Sequence, residues 1–350
     1  MKKYLLICLT GLFLASSCGG QQAPAQNIPG NEIHLTEAYL NPRTVLLSEL
    51  VDSVSFIALE NNGINVSSIQ LLRFSDYCIF AYDKFFDWNG KYLGTIGRPG
   101  RGPLEIPWPV SDAVYTDGYF YSMSSKLLQY DLTGKATGKV RNFYVDMSMD
   151  GKGMLRNSAG FIPAGENFIV YEYPDSVYFI DRDFEIIGSR SVFEVNFPPF
   201  TKVADTYTSS YGDTAVFYNF MNDTIFHASN TRFEPKWIVR FSEELRPAND
   251  LFIEMRQLAM DAVSSGNIEN SELRRRSKGK QIVTAVYETD DYLFLPMKEL
   301  AFFMEVKPDP YLAYFVKSTG ETIRVQGNGF EDDLLGLDYF FQNGALSTTR

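Results

Sequence analysis

Several groups of residues in this 350-residue chain have types and spacings that could do chemistry. Gly97–Pro103 reads GRPGRGP, a glycine-rich run of the kind that cradles phosphate. A phosphate loop needs Gly-Lys-Ser/Thr entering a helix, and here Pro103-Leu104-Glu105 follows instead. The run therefore reads as a shaped connection, from which Arg98 and Arg101 could donate to an anionic or carboxylate ligand. Trp88 lies in a turn, and Trp108 sits between Pro107 and Pro109. Aromatics held on loops either pack or present a face to a sugar or to a partner's pocket.

Acids pair at Asp290-Asp291 and cluster at Glu331-Asp332-Asp333. Glycosidic cleavage needs two carboxylates about 5–10 Å apart, which neighbours on one strand do not ordinarily supply. These acids read as solvated turn residues unless other segments bring partners to them. The run Arg274-Arg275-Arg276-Ser277-Lys278-Gly279-Lys280 is the one dense basic cluster, either a solvated helix end or a contact for an acidic lipid or protein. His34 and His227 are the two histidines, with no His-x-x-x-His spacing and no Asp-x-Asp-x-Asp-Gly loop. A Gly-x-Ser-x-Gly elbow is missing too, so the sequence points to no catalytic set, no metal site and no cofactor.

The elements that must carry these residues recur. A short aromatic or β-branched strand, a polar turn and another strand appear around Asp87-Trp88-Asn89-Gly90-Lys91 and Asp131-Leu132-Thr133-Gly134-Lys135. Further copies lie around Asp181-Arg182-Asp183-Phe184, His227-Ala228-Ser229-Asn230 and Lys317-Ser318-Thr319-Gly320. The markers Gly90, Gly134, Phe184, Asn230 and Gly320 are spaced by 44, 50, 46 and 90 residues. Read as twice 45, the last interval hides an unmarked unit near residue 275 and makes six. Asn and Gly accept the positive φ that tight hairpins need. Flanking segments such as YFYSM and SVYFIDR alternate apolar with polar, the period of half-buried strands. Four strands with their turns occupy about 40–45 residues, one propeller blade. The expected fold is all-β, a six-bladed β-propeller; a pair of β-sandwiches is the competitor, but needs no even repeat. Leu251, Met255, Leu258, Ala259, Ala262 and Val263 fall on one face of a helix instead, which predicts a helical insertion near residues 249–266, capped by Asn249 or Asp250 and stopped by Gly266.

Composition sets the surroundings. The formal charge is −11, hydrophobics make up 45 % and aromatics 15 %, so the chain folds and is a poor match for nucleic acid. Residues 1–17 have a basic start at Lys2-Lys3, an apolar stretch too short to span a bilayer, and small residues Ala15-Ser16-Ser17 before Cys18, the layout of a secretory signal. That arrangement resembles the lipobox of bacterial lipoproteins, in which the signal is cut before the cysteine and the cysteine is acylated. Two acyl chains on one residue anchor stably. Losing Lys2 and Lys3 would take the formal charge from −11 to −13. Gly19–Gly30 reads as a flexible tether, so that residues 18–44 comprise the lipidated cysteine and tether and residues 45–350 the propeller. Of the three cysteines Cys8 leaves with the signal, Cys18 is lipidated, and Cys78 in YCIFAY reads as a small buried hydrophobe.

The DWNGKY turn followed by LGTIGRPGRGPLE resembles a signature of the Bacteroidetes six-bladed, NHL-like propeller lipoproteins, carried by Asp87, Gly90, Lys91, Ile96, Gly97, Gly100, Gly102, Pro103 and Glu105. Looser likenesses are Asn222–Phe226 ahead of Glu234–Ile238, Glu331-Asp332-Asp333 with Gly336, and the entry Ser48–Glu60. The resemblance implies a propeller exported to the cell envelope and brings no catalytic activity. The last blade is expected to be short or closed by an N-terminal strand near Val54–Leu59. The function expected is that of a lipoprotein anchored to the bacterial outer membrane and binding a protein or glycan. The alternative is a hydrolase or lyase using funnel carboxylates, with or without Ca²⁺.

Overall fold

The computed structural model describes residues 31–61, 72–81, 83–106, 112–123, 126–142, 160–172, 176–191, 206–219, 223–251, 254–255, 258, 271–300, 310–327 and 329–334. The folded chain starts with β1 (Glu32–His34) and α1 (Leu35–Leu40). Five antiparallel sheets follow in chain order. The first holds β2 (Leu72–Phe74), β3 (Ile79–Ala81), β4 (Lys84–Phe86) and β5 (Tyr92–Thr95). The second holds β6 (Asp112–Thr116), β7 (Tyr119–Met123), β8 (Lys126–Tyr130) and β9 (Ala136–Asn142). The third is β10 (Gly160–Ala164), β11 (Asn167–Glu172), β12 (Ser176–Ile180) and β13 (Ile186–Ser191). The fourth is β14 (Thr206–Tyr211), β15 (Thr214–Asn219), β16 (Thr224–Ser229) and β17 (Arg232–Arg240), with β1 parallel along its outer edge. The fifth is β18 (Gln281–Val283), β19 (Tyr287–Glu288), β20 (Tyr292–Glu299), β21 (Tyr311–Val316) and β22 (Glu321–Arg324).

Each sheet packs face to face on the next, which is what makes them blades. Phe80, Phe85 and Ile96 of the first share a cluster with Phe120, Leu128 and Tyr130 of the second. Tyr121 and Leu127 meet Phe161 and Phe168; Ile169 and Phe179 meet Val216's neighbour Phe217; and Val216, Ile225 and Trp237 meet Leu293, Leu295 and Phe315. Alternate side chains of one strand thus serve opposite seams, as Phe120 and Tyr121 show.

Among the described residues five blades stand where the spacing predicts six. The 90-residue interval is one blade plus a helical insertion. After β17 the chain turns through residues 241–248, is helical at 249–251, 254, 255 and 258, and forms the helix Ser271–Ser277 before β18. The stripe starting at Leu251 has the helical period, and a segment with that period cannot alternate its faces as a strand must. Leu251 is buried as the helical reading requires, and Met255 and Leu258 are half-buried; residues 259–266, including the expected stop at Gly266, lie outside the described residues.

The Asp-x-x-Gly-Lys repeat is a hairpin with a fixed wiring. Asp87 Oδ1 accepts from the backbone N–H groups of Asn89 and Lys91, both at 2.9 Å. Asp131 and Asp181 repeat this pattern toward Thr133 and Lys135, and toward Asp183 and Glu185. The fourth position is left-handed in all three, with φ of 81° at Gly90, 80° at Gly134 and 68° at Phe184. Phe184 tolerates that backbone because its ring is buried between blades two and three. At Gly134 the neighbouring blade also crowds the site: a Cβ there would lie 2.2 Å from the Thr95 carbonyl oxygen, and Gly97 N–H donates to Gly134 O at 2.9 Å.

Gly90 stands in the same situation, with the N-terminal segment in the place of a preceding blade. A Cβ on Gly90 would lie 2.0 Å from Ala58 O, and Glu60 N–H donates to Gly90 O at 2.7 Å. Residues 57–60 thus form a strap standing where the end of an outer strand would stand. Upstream, Arg43 and Leu46 bridge in parallel to Val325 and Glu331 beyond β22. Val54 packs on the fifth blade's cluster, and Ile57 and Leu59 pack on the first blade's. The strap closes the ring, although residues 51–61 contain no strand.

Candidate functional site

The glycine-rich loop is folded on itself. Gly100 N–H donates to Ile106 O and Ile106 N–H to Arg98 O, at 2.9 and 2.8 Å. Gly102 N–H donates to the Glu105 carboxylate at 2.8 Å, so the loop's own acid fills the place of an outside anion. Lys126 Nζ from β8 donates to Gly102 O and Pro103 O and ties the loop to blade two. The signature Gly97, Gly100, Gly102, Pro103 and Glu105 is therefore accounted for by wiring between blades one and two. Arg98 and Arg101 are exposed on the same loop. Trp88 lies at the other end of β5, in the β4–β5 turn, so the structure does not bring it together with the arginines. Trp108 lies outside the described residues, as does Cys18.

Trp88 is held by its own blade. Its indole N–H is shared between Ser75 O at 3.1 Å and Asp76 O at 3.3 Å, and one ring face stacks on Phe74, 6.0 Å between centroids. Ser75 rigidifies the β2–β3 turn, because its Oγ donates to Cys78 O and accepts from Cys78 N–H, both at 3.0 Å. At the tip Tyr77 stacks on Tyr115 of blade two, 4.9 Å between centroids. Cys78 is buried below, and burial pushes its thiol up to about 12, which makes it inert, as a small hydrophobe should be.

The seam of blades four and five holds a polar cluster that sequence reasoning missed. Glu288 ends β19 with its side chain 1 % exposed. One carboxylate oxygen is 2.6 Å from His227 Nε2 on β16, and the other is 2.7 Å from Lys317 Nζ after β21. Burial alone would push the Glu288 carboxyl up; the bonds from His227 and Lys317 outweigh it and hold the carboxyl below the usual glutamate range. Lys317 also donates to Thr289 O and lies over the Tyr211 ring, 4.7 Å to its centroid. Tyr211 donates to Asp290 at 2.8 Å. The cluster ties β14 and β16 of one blade to β19 and β21 of the next. Nothing local marks it, because His227 and Glu288 are 61 residues apart and meet through the blade repeat. Only alignment of the repeats, placing His227 on a third strand and Glu288 on a first, could have suggested it.

The other charged runs are structural. Leu47 N–H donates to Glu331 O, and both the N–H and Oγ of Ser48 donate to Asp333, so the C-terminal acids clamp the segment that leads into the strap. Those bonds hold the Asp333 carboxyl below its usual range. In the basic run Arg275 pairs with Glu272, and Arg276 with Asp250 and Glu254. Lys280 donates to the carbonyls of Glu243 and Glu244. Among the described residues no group of three His, Cys, Asp or Glu side chains is placed to hold a metal ion, and no helix is long and apolar enough to cross a membrane.

Blades, seams and strap define the class: an all-β propeller closed through its N-terminal segment. The chain belongs to the family described as a domain of unknown function, DUF4934, whose profile matches residues 30–348. Among solved structures it is similar to a Bacteroides fragilis protein provisionally described as exported, with a TM-score of 0.58 and 17 % identity over 84 % of this chain and 79 % of that one. A Bacteroides caccae protein of unknown function matches at a TM-score of 0.37 and 11 % identity, over 69 % of this chain and 74 % of that one. At such identities the likeness is one of fold. No curated protein matches the chain.

Proposed function

We propose that this protein is exported, anchored through a lipidated Cys18 to the bacterial outer membrane, and serves as a ligand-binding or protein-interaction module of the cell envelope. One observation carries binding over catalysis. Of the two buried carboxylates among the described residues, Glu288 is spent on holding two blades together and Asp332 accepts from the Leu334 N–H, while Trp88, Arg98 and Arg101 stand exposed on loops. The similarity to a Bacteroides fragilis protein described in terms of export supports the envelope location, as does the signal-like start. The resemblance to NHL-like lipoproteins of the Bacteroidetes supports the same reading.

Two measurements test it. Cells fed labelled palmitate are expected to label the wild-type chain and to leave Cys18→Ala unlabelled; equal labelling of both would end the lipoprotein reading. The protein pulled down from native membranes is expected to retain a specific envelope component. Release of product from envelope glycans or esters by the purified protein, with nothing retained, would favour the hydrolase or lyase reading instead.

A further inference from the structure

We propose that the outer edge of blade four rests on phospholipid headgroups beside the lipid anchor, with Arg232 and Lys236 meeting their phosphates. The ring then turns the junction of blades one and two away from the bilayer. The proposal rests on the lipid-anchor reading and adds to it which surface of the propeller meets the membrane.

The first strands of neighbouring blades meet, β14 with β10 and with β19, so β17, last in its blade, lies outermost. β1 covers only one end of it: Glu32, Ile33 and His34 stand opposite Ile238, Val239 and Arg240. The described chain enters at Asn31, whose side-chain amide donates to Lys236 O at 2.7 Å and whose carbonyl accepts from Ile238 N–H at 2.9 Å. Further on, Ser242 N–H donates to Thr36 Oγ1, and the Arg324 guanidinium lies 4.7 Å from the Tyr39 ring centroid and 4.3 Å from that of Tyr311. The N-terminal segment is thereby pinned to the blade-four edge beside Lys236.

Cys18 lies 13 residues before Asn31. A linker of that length spans about 20 Å on average and about 45 Å at full stretch. A domain of this chain length has a radius of gyration of about 20 Å, hence a width of about 50 Å. The linker is therefore shorter than the ring is wide, and an acylated Cys18 holds the blade-four edge next to the bilayer. In a ring of five, the junction of blades one and two lies across from blade four. That junction carries the exposed Arg98 and Arg101, which are thus presented away from the membrane.

The charge of this edge suits the contact. On the stretch of β17 that β1 leaves uncovered, Arg232, Glu234 and Lys236 are exposed, two cations against one carboxylate in a chain of formal charge −11. Neither cation forms a salt bridge among the described residues; Lys236 Nζ lies over the Trp237 ring, 5.9 Å from its centroid. Screening at physiological salt acts over about 8 Å, so a headgroup responds to this local charge and not to the total. Lying flat on the face of its first hairpin turns, the ring would instead press Asp117, Glu166, Asp213 and Asp290 toward the headgroups.

The test uses the lipoprotein extracted from membranes, carrying Thr231→Cys beside Arg232 or Leu104→Cys in the blade one–two connection. Cys78 is buried, so the introduced thiol alone takes a fluorophore. The labelled protein is reconstituted in phosphatidylethanolamine–phosphatidylglycerol vesicles containing a lipid with a nitroxide on its headgroup. Quenching is expected to be about fivefold stronger at position 231 than at position 104, and Arg232→Gln with Lys236→Gln should remove most of that contrast at an unchanged Tm. Equal quenching at the two positions, stronger quenching at position 104, or a contrast that survives the double variant overturns the proposal. Palmitate labelling is read on the same preparations. An unlabelled chain ends the lipid-anchor reading and the orientation with it, whereas a labelled chain without the contrast ends the orientation alone.

Discussion

Glu288→Gln is expected to be among the most damaging single substitutions in the chain, costing about 3–5 kcal/mol, because it removes one partner of a buried ion pair and leaves the other uncompensated. Lys317, 17 % exposed, would keep its charge against a neutral amide, and the charged form of His227 would lose its counter-ion. For a propeller of this size that loss corresponds to a fall in Tm of roughly 5–8 °C. The double variant Glu288→Leu with Lys317→Met removes both charges, and should be milder than Glu288→Gln alone. If the double variant proves as unstable as the sum of its parts, the seam does not depend on this pair. The pH dependence has a definite sign. Because the folded carboxyl sits below the ordinary glutamate value of about 4.3, its contribution is complete above that value and is lost as pH falls through the lower folded one. Acid unfolding below about pH 4.3 should therefore be steeper in the wild type than in the double variant.

Gly134→Ala is expected to cost about 2 kcal/mol or more, from two sources. The left-handed backbone at φ 80° disfavours any Cβ, and that Cβ would meet the Thr95 carbonyl oxygen at 2.2 Å. Backbone cannot swing aside as a side chain can, so blades one and two must part and the Gly97-to-Gly134 bond must lengthen. Gly118→Ala is the control: its φ is 77°, but a Cβ there meets nothing within 4 Å. Thermal unfolding of the pair separates conformational strain from inter-blade crowding. Equal losses in both would show that blade packing does not demand the glycine.

The hairpin motif was legible because its chemistry is local. An aspartate accepting from the second and fourth residues beyond it, with a left-handed residue between, needs five consecutive positions. The helix was legible for the same reason, through the period of Leu251, Met255 and Leu258. Counting blades failed where spacing replaced local signal, since an interval of 90 residues does not say whether strands or helices fill it. The expected N-terminal strand near Val54–Leu59 is a strandless strap packed on the fifth and first blades, and the pairing of Arg43 and Leu46 with Val325 and Glu331 has no sequence mark. Glu288, His227 and Lys317 were hidden because each looks like a turn or strand residue until blades four and five are stacked. Asp290 looked like a solvated acid for the same reason; the hydroxyl that bonds it belongs to Tyr211 in another blade.

The strap carries a consequence for the order of assembly. Arg43 and Leu46 leave the ribosome early, but their bridging partners Val325 and Glu331 lie nearly at the end of synthesis. Loop-closure entropy makes contacts of such separation the slow ones. Blades can form singly from neighbouring hairpins, whereas the strap has nowhere to dock until the fifth blade exists. Ring closure therefore follows the fifth blade, and the N-terminal segment must wait for the last-made residues before it can dock.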